Sequence, residues 1–407
     1  MSPRTPKVAK NSDATSHRSA KLAAKRNLKM ARSAHAYVRG STVKFYEWLE
    51  NSSGKVPEGP PIWICGDCHV GNLGPLADAK GRVAVQIRDL DQTVIGNPAH
   101  DLIRLGLSLA SAARGSDLPG VTTARILEHL ADGYQAALAG HFEGARDKSH
   151  RPAMVQSLLD RSVRRRWRHL AAERLDTVEP KVPLGPKFWK LDAEECRSLK
   201  SLFADRGLSD VISVLQGASA DEPVELVDAA YWMKGCSSLG RLRYAVMLRI
   251  GEGEKSKLCL IDIKEATAAV APRSPKMTMP RDNAMRVVTG ARALSPNLGE
   301  RMMAARLLGK AVVVRELMPQ DLKIEADHLS DKRATALASY LGGVVGRAHG
   351  RQMDAAVRST WRDTVVKAGT STLDAPAWLW SNTVELLGIH EAAYLEHCRR
   401  YVLSQAA

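Results

Sequence analysis

The sequence predicts an α+β fold in two lobes, one small and antiparallel, the other larger and helical. Three observations carry this. The 407 residues are enough for two hydrophobic cores. Three short β-rich runs, separated by turn material, lie close together between residues 227 and 264. Helical patterning dominates on both sides of them.

In chain order, residues 1–20 are polar, basic and aperiodic and read as a disordered tail. Lys21 to Glu50 reads as helical, with Leu28, Tyr37, Val38, Phe45, Trp48 and Leu49 available for burial. Asn51 to Pro61 is a turn-rich break, and Pro61 to Cys65 is a short buried strand. The turn Asp78-Ala79-Lys80-Gly81 leads into a second strand at Val83 to Ile87. Asp101 to Arg114 is helical, as is much of 121–171, with a break at Pro152. Residues 176–190, rich in proline and lysine, form an irregular connector.

The character changes near Glu222. Val227 to Met233, Arg241 to Ile250 and Lys257 to Lys264 read as an antiparallel meander. A helix at Pro280 to Leu294 and a strand at Ala311 to Leu317 follow. Asp331 to Arg351 and 374–405 are helical again. Gly342-Gly343-x-x-Gly346 lies on the first of these, where glycines signal close helix packing. The patterning divides the chain into a tail at 1–20, a helical part at 21–221, a β-rich part at 222–320 and a second helical part at 321–407.

The composition is that of an ordinary globular protein, 44% hydrophobic and 25% charged. No apolar run is long enough to span a bilayer, and the polar, basic start lacks a signal-peptide core. A cytoplasmic location is expected, with the six cysteines as free thiols. The net charge is +15, and Met1 to Lys44 holds eleven Lys or Arg against one acid, Asp13. A second run comprises Arg161, Arg164, Arg165, Arg166 and Arg168. Such charge attracts polyanions, yet Trp167 alone interleaves the run, so nucleic acid is the less favoured partner. A solvated tail and a solvated helix face account for both runs.

The chemistry-bearing stretch is Cys65-Gly66-Asp67-Cys68-His69-Val70-Gly71-Asn72, followed by Ile87-Arg88-Asp89-Leu90-Asp91. Phosphoryl transfer needs a positioning group at the acceptor hydroxyl and oxygen ligands for magnesium bridging the phosphates. Asp67 suits the first role, and Asn72 and Asp89 suit the second. Asp91 reads either as a further metal group or as a turn cap. Asp101 sits at the start of a helix, where a carboxylate is favoured. Downstream, Gly235-Cys236-Ser237-Ser238-Leu239-Gly240 joins two strands, and Lys264 lies on the third. A glycine- and serine-rich hairpin with a neighbouring lysine can cradle phosphates. His69 orders the loop or contacts a phosphate, and Arg39 and Arg315 are further phosphate-binding candidates. Cys65-x-x-Cys68-His69 also matches a haem-attachment pattern and offers three zinc ligands, without the context either requires.

Gly66-Asp67-x-His69-x-x-Asn72, Asp89 and Gly96-x-Pro98-x-x-Asp101-Leu102 resemble the core of aminoglycoside-phosphotransferase-like kinases. The resemblance implies Asp67 as catalytic base, Asn72 and Asp89 as magnesium ligands, and Asp101 as a structural acid bracing the loop. The order is unusual, because the glycine turn and lysine follow the catalytic loop by about 170 positions. The chain also resembles the bacterial family called Domain of Unknown Function 2252. That likeness runs from Lys25-Arg26-x-x-Lys29-Met30 and Tyr37-Val38-Arg39-Gly40 through Lys264-Glu265-Ala266 to Val314-Arg315-Glu316-Leu317 and Ala348-His349.

The likeness implies a two-lobed, circularly permuted protein-kinase-like fold. It also implies an ATP- and Mg2+-dependent phosphotransferase acting on a small-molecule or protein acceptor. Gly235, Ser237, Ser238, Gly240, Lys264 and His69 would bind the nucleotide, with Asp67 and Lys264 catalytic. The alternatives are a non-catalytic nucleotide- or nucleic-acid-binding pseudokinase module, and nucleotidyl transfer (AMPylation) on the same site. A kinase pairs its strand lysine with a helix glutamate. The helix 280–294 holds only Asp282, and Glu265 points to the opposite sheet face, so the partner of Lys264 is open.

Overall fold

A computed structural model describes residues 11–52, 55–142, 151–175, 181–204, 222–234, 240–253, 256–326, 329–367, 369–370 and 373–401. Three helices open the chain, α1 (Asn11–Met30), α2 (Ala34–Gly40) and α3 (Thr42–Ser52). The tail expected to be disordered is thus helical from Asn11 onward. Leu22 explains why the helix persists: it is buried in the core of the β-rich lobe and anchors α1 there.

Four short strands then build the functional loops: β1 (Ile62–Ile64), β2 (Leu73–Ala77), β3 (Val83–Ile87) and β4 (Val94–Gly96). β1 pairs antiparallel with β4, and β2 with β3. The β2–β3 hairpin therefore rises between two strands that run side by side. This brings the loop 65–72 next to the loop 88–93, and Arg88 N–H closes the junction by donating to the Asn72 carbonyl at 2.8 Å.

The helical lobe continues with α4 (Pro98–Arg114), α5 (Gly120–Leu138), α6 (Ala153–Val163) and α7 (Trp167–Leu175). Asn97 caps α4 by accepting from Ala99 N–H at 3.0 Å, with Pro98 in the first turn. α4 is buried almost throughout, Arg104 included. A short strand β5 (Phe188–Trp189) and α8 (Ala193–Ala204) lead to the β-rich lobe.

The β-rich part holds β6 (Val224–Trp232), β7 (Arg243–Ile250), β8 (Lys257–Glu265), β9 (Met302–Leu307) and β10 (Lys310–Leu317); between β8 and β9 in sequence come the helices α9 (Asn283–Leu294) and α10 (Pro296–Gly299), which pack into the core of the helical part. The strands form one antiparallel sheet in the order β5-β6-β7-β8-β10-β9. Alternation puts Tyr244, Val246, Leu248, Ile261 and Ile263 into one core beside Leu22. Register places Arg243 and Val313 opposite Lys264, and Ala245 and Arg315 opposite Asp262. The second face of the sheet therefore carries a charged row, Arg243, Asp262, Lys264 and Arg315, and this face turns toward the helical lobe.

The chain ends with α11 (Asp331–Gly350), α12 (Ala355–Lys367), the small strands β11 (Gly369–Thr370) and β12 (Leu373–Pro376), and α13 (Ala377–Tyr401). Asp282 caps α9 by accepting from Ala284 and Met285 N–H. No helix among the described residues is long and apolar enough to cross a membrane. The architecture is mixed α+β with small antiparallel sheets.

α5 and α11 lie in close backbone contact. A Cβ on Gly342 would stand 2.2 Å from the Leu130 carbonyl oxygen, so only glycine fits. Intrinsic propensity favours alanine over glycine in a helix by about 1 kcal/mol, and the clash must overcome that gain. Gly342→Ala is expected to destabilise by about 1–3 kcal/mol, as overpacking does. Urea denaturation checks it; a stabilised variant would mean that the two helices do not meet at this distance.

Candidate active site

The loop after β1 is fixed from below. Gly66 has φ +73°, and a Cβ there would lie 2.2 Å from the Gln92 carbonyl oxygen, which excludes other residues. Tyr46 Oη donates to the Gly66 carbonyl at 2.6 Å. The Asp101 carboxylate, in the first turn of α4, accepts from Cys65 N–H at 2.7 Å and Gly66 N–H at 2.9 Å. His349 Nε2 lies 3.2 Å from the same carboxylate, and its Nδ1 is 3.0 Å from Tyr134 Oη, which accepts from Trp361 Nε1 at 2.8 Å. Tyr134 therefore donates to Nδ1, which leaves Nε2–H to donate to Asp101. A buried relay across α5, α11 and α12 ends at the loop backbone.

Above this anchor sits Asp67. Its Oδ1 lies 3.0 Å from Arg104 Nε, and Arg104 Nη2 also donates to the Val38 carbonyl at 2.5 Å. Arg104 is 1% exposed and Asp67 16%. Burial pushes the Asp67 carboxyl up, and the Arg104 charge and hydrogen bond only partly offset it. Asn72 spends its amide nitrogen on the Asp67 carbonyl at 3.2 Å and the Asp89 carbonyl at 2.8 Å. Its side-chain oxygen is the group left for a cation.

Lys264 reaches this loop pair from β8, across 175 positions of sequence. Its Nζ lies 3.3 Å from both Asp89 carboxylate oxygens and also pairs, more closely, with Asp91. Lys264 is 12% exposed and Asp89 53%. Burial alone would depress the lysine, and the two carboxylates hold it above its usual value. Burial works against the Asp89 charge too, and the Lys264 ammonium keeps that carboxyl below its usual range. Asp91 is pushed up to about 6, by burial first and then by the Asp89 charge.

α9 offers Lys264 no acid. It presents Arg286, whose guanidinium donates to the carbonyls of Thr93, Asp91 at 3.0 Å and Thr267 at 2.8 Å. The helix thus pins the loop that carries Asp91.

A cleft of about 680 Å³ opens between the charged sheet face and the loops, and Asp67, His69, Asn72 and Asp89 line it. Asp67, Asn72 and Asp89 also border a smaller cavity of about 150 Å³, together with Asp91. His69 is neutral: burial, then the nearby Arg39 and Arg104, lower it well below the usual histidine value.

The structure thus brings Asp67, Asn72, Asp89 and His69 to one cleft, and Lys264, which is not among its lining residues, joins them through its pair with Asp89. Gly235, Ser237 and Ser238 lie outside the described residues. Gly240 has φ +97° and does not line the cleft. Cys65 and Cys68 are fully buried, and burial raises the Cys65 thiol well above its usual value, which does not suit a thiolate metal ligand. The donors Asn72, Asp89 and Asp91 are all hard oxygens, which fit magnesium. Among the described residues no group of three or more His, Cys, Asp or Glu forms a metal cage; magnesium commonly takes one or two carboxylates and completes its shell with phosphates and water. Sequence reasoning missed Arg104, which sits one helical turn after Asp101 in an apolar run where an arginine must find a partner. It also missed Arg286 and the Arg243–Asp262 pair.

The raised Asp91 carboxyl has a pH consequence. The folded state binds its proton more tightly than the unfolded chain, so between about pH 4 and pH 6 this group makes stability fall as pH rises. Asp91→Asn removes the titration. Its stability relative to the wild type is expected to improve as pH goes from 4 to 7, measured by urea denaturation. A relative stability that worsens over that range would mean Asp91 is held ionised instead.

No curated protein and no solved structure matches the chain. A family model described as "Uncharacterized protein conserved in bacteria (DUF2252)" matches residues 18–400. The chain belongs to that family.

Proposed function

We propose that the protein is an ATP- and magnesium-dependent phosphotransferase of permuted kinase-like architecture. The observation that carries this reading is the pairing of Lys264, on β8, with Asp89 and Asp91 of the loop after the β2–β3 hairpin. In a kinase, a lysine on the third strand of the nucleotide lobe serves the phosphates, and an acid of the other lobe serves the metal. Here Lys264 stands on the third strand of a meander that continues into a helix and two more strands, and Asp89 belongs to the loop after the β2–β3 hairpin.

In this reading Asp89 and the Asn72 side-chain oxygen would hold magnesium, which would supply charge neutralisation for the transferring phosphate. Lys264, paired with Asp89 and Asp91, is the cation placed to serve phosphate oxygen. Asp67 orients the acceptor hydroxyl and takes its proton as that oxygen attacks the γ-phosphorus and the bond to the ADP oxygen breaks. Arg104 keeps Asp67 ionised while burial keeps it basic, a balance that suits a proton acceptor. The products are ADP, the phosphorylated acceptor and a proton.

Arg286 in place of a helix acid favours one second reading, a nucleotide-binding module without transfer or with nucleotidyl transfer. Labelled ATP separates these. Transfer of the γ label that Asp67→Ala lowers about 10²–10⁴-fold, with Mg·ADP affinity retained, is the expected result. Undiminished transfer by Asp67→Ala, or transfer of the α label, overturns the proposal.

A further inference from the structure

The walls of the main cleft are strongly basic. Of the residues lining it, ten are Lys or Arg and four are Asp. Each of those four acids is already engaged: Asp67 with Arg104, Asp89 with Lys264, Asp262 with Arg243, and Asp321 with Arg301 and Arg315. A cationic ligand would meet an excess of like charge with every cleft-lining carboxylate committed. An anionic one meets the opposite.

Part of this charge comes from neither the lysine strand nor the turn before it. It comes from α1, α2 and the turn between them, which carry Lys25 and Lys29, Arg39, and Arg32 into the cleft wall. α1 is held at both lobes. Leu22 is buried in the sheet core, Lys25 Nζ lies 3.9 Å from Met233 Sδ, and α13 grips the helix end through Tyr394 Oη to the Ala31 carbonyl at 3.2 Å.

α2 then sets Arg39 onto the catalytic loop. A Cβ on Gly71 would stand 2.8 Å from the Arg39 guanidinium carbon, so the guanidinium lies flat against that backbone, next in sequence to Asn72. Arg39 forms no ion pair among the described residues, and its buried Nε has no hydrogen-bond partner. His69, 8% exposed and lining the same cleft, also has Nδ1 without a partner. Buried polar atoms of this kind are normally satisfied by a ligand or water. Both side chains line the same cleft as Asp67.

We propose that the phosphoryl acceptor is a small anion, a hydroxyl compound bearing a phosphate or carboxylate group, held by Arg39 and His69 with α1 as its basic wall. This rests on the phosphotransferase reading and names its second substrate class. It places the acceptor opposite in charge to an aminoglycoside.

The test uses the full chain and titration calorimetry, with inorganic phosphate as the probe. The protein is first saturated with the magnesium complex of a non-hydrolysable ATP analogue, which fills the γ-phosphate position. Phosphate is expected to bind on top of the analogue. Arg39→Ala should weaken that binding roughly tenfold or more, the loss of one charge-assisted contact, while analogue affinity changes less than about twofold. Arg32→Ala, at an exposed position that does not endanger folding, should give a smaller loss in the same direction. If phosphate displaces the analogue, if the analogue and phosphate weaken equally in Arg39→Ala, or if phosphate does not bind, the anionic acceptor site is wrong while the nucleotide site stands. If the wild type fails to bind the analogue, the phosphotransferase reading fails and this inference falls with it.

Discussion

The ammonium of Lys264 shared between Asp89 and Asp91 is the interaction around which the rest is arranged. Two carboxylates two positions apart repel one another, and burial adds to the cost at Asp91, the less exposed of the two. Only a cation between them makes the arrangement tolerable, and the β-rich lobe supplies it from β8. The split in behaviour follows: one carboxyl is held below its usual range and the other lifted above it. A site that needs a cation in the absence of ligand is one in which an arriving divalent ion has a place to go.

The scaffold beneath that pair is rigid by construction. Asp101 is fully buried, and its carboxylate takes two backbone N–H groups and the His349 ring. The backbone donors and the N-terminal dipole of α4 both favour the negative charge. Arg104, one turn later on the same helix, fixes Asp67. One helix therefore sets both the loop's course and the orientation of its acid. Arg286 of α9 fixes the second loop. The freedom left in the site belongs to Asp89, half exposed, and to the lysine that holds it.

Much of this was legible in the sequence, for reasons that can be named. The apolar run before Gly66 and the turn at Asp78 to Gly81 are local signals, and each element formed where local chemistry pointed; the helix expected from Asp101 starts three residues earlier, at Pro98, with Asn97 as its cap. The charged row on β8 was half legible: alternation put Asp262 and Lys264 on one face and Glu265 on the other, but no local rule says what stands across a cleft 175 positions away. That is why the acids facing Lys264 stayed open until the lobes were seen together. Strand β9, Met-Met-Ala-Ala-Arg-Leu, carries helix-favouring residues and is a strand because β10 pairs with it. α1 begins ten residues before the expected boundary, and Leu22, near the middle of that helix, is buried in the sheet core, a contact no local rule predicts.

The claim that Lys264 and Asp89 work as one site is tested most directly by a double-mutant cycle on Mg·ATP binding. Lys264→Ala, Asp89→Ala and the double variant are compared with the wild type by calorimetry. Two residues serving one metal–phosphate cluster should be non-additive, with the double variant losing no more than the worse single one. Losses that simply add would mean that the two side chains meet without sharing a ligand, and the account would be wrong.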